Sequence, residues 1–319
     1  MDRRTAITAL GATIIAPGTL AFAQTAGRPI RIVVPLPTGS SNDYVTRVVA
    51  PLLSANLGSP VIVDNKAGGN GIIGTMSVVG AASDGHTLMC GSLSPLAVNV
   101  ATAKNLPYDP RRDLTPIAGC SATYNVLLVR SSFPAKTFVE FIAYAKAHPR
   151  EVSVGYSTTT VQVEIATLAK MAGIELLPVA YKGTPQTMTD VLGGALSATL
   201  VDPGNALAQV KGGQMRALAI SSPKRNPITP EWPAIAETLP GFDFSFWNAL
   251  VGPAGVPREI VARLNAAMNG ALRDKEVVDK YAQAGTVPLV MSADELKAYI
   301  ETETAKWVKL AREANIQPE

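Results

Sequence analysis

Along the first hundred residues, short continuous apolar runs alternate with stretches in which apolar residues recur every three or four positions. Residues 30–35 form a run of the first kind. Residues 41–57 place Val45, Val48, Val49, Leu52 and Leu53 on one helical face and stop at Gly58. Strand-like runs follow at 61–64 and 87–91, with a helical pattern at 72–82 between them. The order βαβαβ predicts a parallel sheet with right-handed crossovers. Pro51 removes an amide donor inside the first helical pattern and is expected to kink it. The alternation restarts near Asn125, with strands at 126–129, 152–156, 177–180, 198–201 and 217–221 and helices at 137–147, 163–172, 185–192 and 206–211. Residues 223–240 are proline-rich and irregular, and 245–253 read as a returning strand. Three helical patterns close the chain, at 257–273, 275–284 and 293–314. They bring no strands with them, so they are expected to cover the first sheet.

Composition adds size and location. With 319 residues, 47% hydrophobic and 17% charged, the chain can core two domains and is not a disordered segment. Its formal charge of +3 gives no basic surface for nucleic acid. Residues 1–23 carry Arg3 and Arg4, an apolar run at 6–15, a Pro17-Gly18 break and Ala21-Phe22-Ala23. This reads as a secretory signal cleaved after Ala23, for general secretion rather than twin-arginine export, because Asp2, Thr5 and Ala6 flank the arginines poorly. The apolar run is too short for a permanent membrane helix. A periplasmic location is therefore expected. Cys90 and Cys120 sit in apolar surroundings and read as buried free thiols. His86 and His148 have no third ligand near them, so no metal site and no cofactor is expected.

Candidate chemistry is confined to turns. Residues 69–74 match G-x-G-x-x-G, but four residues separate them from the strand, so they read as a glycine-rich turn. Residues 91–95 approach G-x-S-x-G and end in proline, which argues against a hydrolase elbow. Ser40-x-x-Asp43 has capping-box spacing, with Ser40 as N-cap and Ser41 as first helical residue. That is either a well-made helix start or, because Thr38, Gly39, Ser40 and Ser41 gather amides and hydroxyls at a positive dipole end, an anion site. Ser157, Thr158, Thr159 and Thr160 follow a strand and precede a helix. Tyr181 and Lys182 begin a similar turn, and Asp202 opens a third. Such turns fall at the carboxyl edge of a parallel sheet, where open α/β sheets place ligands. Four of them without a catalytic base suggest a site that holds a small polar molecule rather than an enzyme.

Read together, the segments RPIRIVVPLPTGSSNDYVTRVVAPLLSANLGSPVIVDNKAGGNGIIGT, DGHTLMCGSLSPLAVNV, NLPYDPRRDLTPIA, VAYKGTPQTMTDVLGGALSATLVDP and GQMRALAISSPKR resemble the Bug or TctC-type receptors of tripartite tricarboxylate transport systems. The resemblance implies an α/β, two-domain, periplasmic-binding-protein-like (type II) clamshell, each domain a mostly parallel sheet flanked by helices. Residues 24–124 plus 250–319 would form one domain and 125–249 the other, with the ligand cleft between them. It also implies that Pro37, Thr38, Gly39, Ser40, Ser41 and Asp43, with Ser157 to Thr160, hold a ligand carboxylate. Ser92 and Ser94 would line a further cleft loop, Tyr181, Lys182 and Asp202 the far wall, and Trp247 the interdomain crossing. Gln162 stands where the family's histidine would fall. The expected partners are a small organic anion (a mono- or dicarboxylate, amino acid or aromatic acid) and membrane permease subunits, and the receptor is expected to be a monomer.

Overall fold

The computed structural model describes residues 27–226 and 228–314, so the signal-like segment 1–23 lies outside the described residues. The chain opens with β1 (Ile30–Val34), α1 (Ser41–Leu57), β2 (Val61–Asn65), α2 (Ile72–Val79), β3 (Thr87–Ser92), α3 (Asn99–Thr102) and β4 (Leu114–Tyr124). A second series follows: β5 (Val126–Arg130), α4 (Phe138–Ala147), β6 (Ser153–Tyr156), α5 (Thr159–Ala172), β7 (Leu177–Ala180), α6 (Thr184–Gly193), β8 (Ala198–Val201), α7 (Pro203–Lys211) and β9 (Met215–Ile220). The chain then returns through β10 (Ser245–Pro253), α8 (Arg258–Leu272), α9 (Lys275–Gln283), β11 (Val287–Pro288) and α10 (Ala293–Glu313). Helix α1 starts where Ser40 accepts the Asp43 amide and stops where Gly58 turns left-handed at φ 62°. It runs unbroken through Pro51.

Two sheet-and-helix domains result. The first sheet has the order β11-β4-β10-β3-β1-β2, the second β7-β6-β8-β5-β9. Parallel pairing holds for β1 with β2 and β3, and for β6 with β7 and β8. Most strands of each sheet run one way, as expected, with β10 and β11 reversed in the first sheet and β5 in the second. Strand β10 is antiparallel to both β3 and β4, and β5 to both β8 and β9. The return strand spans Ser245–Pro253, the bounds read from the sequence.

Helices α1, α8 and α9 cover one face of the first sheet, with Val45, Val49, Leu53, Leu264, Met268 and Tyr281 over Ile32, Cys90, Cys120 and Leu250. On the other face Val33, Met89, Ala249 and Val251 meet Leu296, Ile300 and Trp307 of α10, and that core continues into the second sheet through Leu127 and Val129. The closing helices thus do cover the first sheet. Cys90 and Cys120 are both buried and free, their sulfurs 3.7 Å apart. Strand β10 lies between their strands.

Candidate functional site

Strand directions bring the candidate turns together. Because β3 and β4 are both antiparallel to β10, they point the same way, and the carboxyl ends of β1, β3 and β4 share one edge of the first sheet. In the second sheet Val126 pairs with Val201, so the start of β5 lies beside the end of β8 and on the same edge as the ends of β6 and β7. The chain passes from one edge to the other through Asn125 alone and returns between Ile220 and Ser245. The carboxyl edges of the two sheets therefore face each other across the crossings.

On the first edge, residues 37–41 form the exposed turn between β1 and α1. Two of its amides are already used: Gly39 donates to Asp43 Oδ2 at 2.9 Å and Ser40 to the Pro37 carbonyl at 3.2 Å. The amides of Thr38, Ser41 and Asn42 have no acceptor among the described residues. Asp43 departs from its expected place as a ligand group. It is 3% exposed, and its other oxygen takes Arg47 Nε at 2.9 Å. Burial works to raise its pKa, but the hydrogen bonds from Arg47, Gly39 and Asn65 outweigh it and leave the carboxyl below its usual range. Arg47 also donates to Asn65, which in turn donates to the Leu36 carbonyl, so an ion pair and an amide clamp the turn from behind. Asp43 is thus a support for the turn.

Ser92 ends β3 and Ser94 opens the following π-helical turn; both are half-buried. Ser92 pairs in register with Asn248 of β10, and Asn248 with Ser121 of β4. Asn248 donates to Ser121 Oγ at 2.9 Å, and Asn42 of α1 donates to the Cys90 carbonyl at 3.1 Å. This buried polar row at the strand ends was not foreseen from the sequence. Its signal was present: Asn248 is the one amide in the apolar run FWNALVGP.

On the second edge, Thr158 caps α5, accepting from the Val161 amide at 3.4 Å, and exchanges a 2.8 Å hydrogen bond with Thr160. Thr159 and Thr160 amides have no acceptor among the described residues. Ser157 Oγ lies 3.5 Å from Thr184 Oγ1, which joins the β6 turn to the β7 turn. Tyr181 hydrogen-bonds Asp190 through its hydroxyl, and Lys182 is exposed. Asp202 caps α7 through Asn205 at 3.0 Å. The turn it opens touches the first domain, since a Cβ on Gly204 would meet the Ala284 carbonyl at 3.1 Å and one on Gly285 the Pro203 side chain at 2.4 Å. The structure therefore gathers residues 37–41, Ser92, Ser94, residues 157–160, Tyr181, Lys182 and Asp202 along the two facing edges.

Trp247 does not join them. It is 1% exposed in the core, and its indole N–H donates to Glu303 at 3.1 Å, a carboxylate that also accepts from Trp307 and Lys306. Alternation along β10 turns Trp247 under α10 and leaves Asn248 on the opposite face of the sheet. The two histidines lie elsewhere: His86 precedes β3 with its ring nitrogen 3.2 Å from the Pro29 carbonyl, and His148 stacks on Tyr144.

The arrangement offers two helix starts with unpaired amides and a set of hydroxyls, which suits an anion. Among the described residues no group of acidic, histidine or cysteine side chains could hold a metal, and no helix is long and apolar enough to cross a membrane. Comparison with known proteins agrees with this geometry. Residues 45–316 match the model of the tripartite tricarboxylate transporter family receptor. The chain is 35% identical over 292 residues to protein BugT of Bordetella pertussis, covering 90% of this chain and 89% of the relative. Among solved structures it is similar to an R. palustris protein with adipate, at 30% identity and TM-score 0.83, covering 92% of this chain and 99% of that one. It is also similar to MatC from Rhodopseudomonas palustris with bound malate, at 28% identity and TM-score 0.76, covering 89% and 98%. Two α/β domains with facing strand ends, a family model spanning most of the chain and relatives alike over most of their length lead to one conclusion: the chain belongs to the tripartite tricarboxylate transporter receptor family.

Proposed function

We propose that this protein is an extracytoplasmic receptor that captures a small organic carboxylate between its two domains and delivers it to a membrane permease. One observation carries the reading: the starts of α1 and α5, each with unpaired amides, stand on the two facing edges. Residues 27–124 with the return from β10 onward form one jaw, and 125–244 the other. A carboxylate that accepts from both helix starts stabilises only the arrangement in which both jaws reach it, so binding shifts the domains toward closure. Three or four charge-assisted hydrogen bonds at about 1.5–3 kcal/mol each cover the roughly 8 kcal/mol of micromolar binding. The relatives solved with adipate and malate support a carboxylate as ligand. Residues 1–23 direct the chain to the periplasm, where the receptor acts as a monomer on its permease.

The test is a calorimetric screen of mono-, di- and tricarboxylates, amino acids and aromatic acids. An acid should bind, its neutral amide analogue should bind at least tenfold more weakly, and the acid should be recovered unchanged. Equal binding of acid and amide removes the carboxylate-centred site. Turnover of the acid removes the receptor.

A further inference from the structure

Where the chain crosses between the sheets, a carboxyl group is completely enclosed. Glu164 lies on α5, one turn beyond the Thr158–Thr160 start, and is 0% exposed. Its Oε2 accepts from Asn125 Nδ2 at 2.7 Å, while Oε1 is buried with no hydrogen-bond partner. Asn125 is the single residue between β4 and β5. Ser221, where the chain leaves β9, ties both crossings together. Its amide donates to the Asn125 carbonyl at 2.8 Å and its hydroxyl to the Phe244 carbonyl at 2.9 Å. The hydroxyl also accepts the Asn125 amide at 2.9 Å, and Phe244 donates back to the Ser221 carbonyl at 3.1 Å. Glu164 is therefore fixed to the point about which the two domains must turn.

We propose that the proton on Glu164 locks this junction, and that its loss lets the two domains move apart. A carboxylate with one orphaned oxygen and no access to water is costly to charge. Ionisation therefore favours any arrangement in which the crossings part and water reaches the group. Burial pushes Glu164 up to about 8, with the hydrogen bond from Asn125 acting against it, so the group holds its proton at neutral pH and loses it in mild alkali.

The groups that touch it, Asn125 and Ser221, do not titrate. The other ionisable groups beside the crossings are Asp243 on the return segment, Tyr124 at the end of β4, and Tyr299, Glu303 and Lys306 on α10, and they act on one another. Asp243 is the competing candidate, since burial raises its pKa too and its Oδ1 lacks a partner. On α5 itself, Lys170 pairs at the surface with Glu313. This motion of the two domains does not depend on which ligand is bound.

The experiment needs no ligand. Spin labels at Ala67→Cys and Gln186→Cys, both exposed and on different domains, report the interdomain distance, while Cys90 and Cys120 are too buried to label. In the protein with native Glu164, the distance distribution should be narrow near about pH 6 and gain a longer component as pH rises through about 8. In the Glu164→Gln variant it should keep the low-pH form throughout. Should that variant not fold, Asn125→Ala removes the donor that favours the charged form and should move the midpoint to higher pH. A distribution that ignores pH overturns the proposal. So does a Gln variant that shifts like the native chain, a shift abolished by Asp243→Asn instead, or a midpoint that Asn125→Ala leaves unchanged or lowers.

Discussion

The backbone amide of Ser41 separates the two uses of the turn before α1. It sits at the first helical position without an acceptor among the described residues, and Ser40 before it is extended at φ −68°, ψ 159°, the conformation a following proline requires. Ser41→Pro should therefore leave the melting temperature nearly unchanged while lowering affinity for the cognate acid roughly ten- to a hundredfold, the worth of one charge-assisted hydrogen bond of about 1.5–3 kcal/mol. Ser41→Ala removes only the hydroxyl and should cost less. If calorimetry finds affinity intact in Ser41→Pro, the turn is a helix cap and nothing more. At this scale the sequence told part of the story. Capping spacing gave Ser40 and Ser41 their places, because a cap is a local interaction. The Arg47 and Asn65 clamp behind Asp43, and the row Ser92, Asn248, Ser121, depend on residues far apart in sequence that only strand order brings side by side. Trp247 lies beside the crossing as expected, but that it faces the core depends on the strands flanking β10.

Strand β4 is the element that the pattern of residues hid. It spans eleven residues, yet contains Pro116, Gly119 and a run of small side chains, all weak or adverse signals for a strand. In the sheet these features have uses. Pro116 falls at a register shift against β10, and a second shift leaves Cys120 as an extra residue opposite Asn248 and Ala249. Gly119 lets the segment after β11 cross closely, since a Cβ there would stand 2.1 Å from the Leu289 carbonyl oxygen. Gly119→Ala must displace backbone, and a loss of about 1–3 kcal/mol or more in denaturant unfolding is expected. A loss below about 0.5 kcal/mol, the range of an inert surface change, would mean that the crossing is loose. The helices and parallel strands around β1 and β6 were legible because they are long, periodic and bounded by Gly or Pro. Strands β5 and β10 were also read at their places, but their antiparallel pairing was not, since it depends on which distant strands flank them.

For the whole molecule, acid and base pull in opposite directions. The hydrogen bonds that lower Asp43 contribute stability above its unfolded value of 3.8, lost as pH falls further. Glu164 has the reverse sign: with a folded value of about 8 against 4.5 unfolded, the native state holds the extra proton, so its contribution is complete below 4.5 and is lost as pH rises to about 8. Over that window the loss is of order 3–5 kcal/mol. The thermal midpoint of the native chain should fall from about pH 5 to about pH 8, and Glu164→Gln should flatten the decline; parallel curves would show that another group is responsible. The placement of β10 has a further consequence, in time rather than in space. Strands β3 and β4 have no bond to each other, and the strand that fills the gap between them is made more than a hundred residues after β4. A chain emerging from its N-terminal end therefore completes its second sheet while its first still waits in two pieces. Nascent chains halted before Ser245 should resist protease over residues 126–220 and be cut within 27–124. Equal protection of both would mean that the first half closes without its central strand.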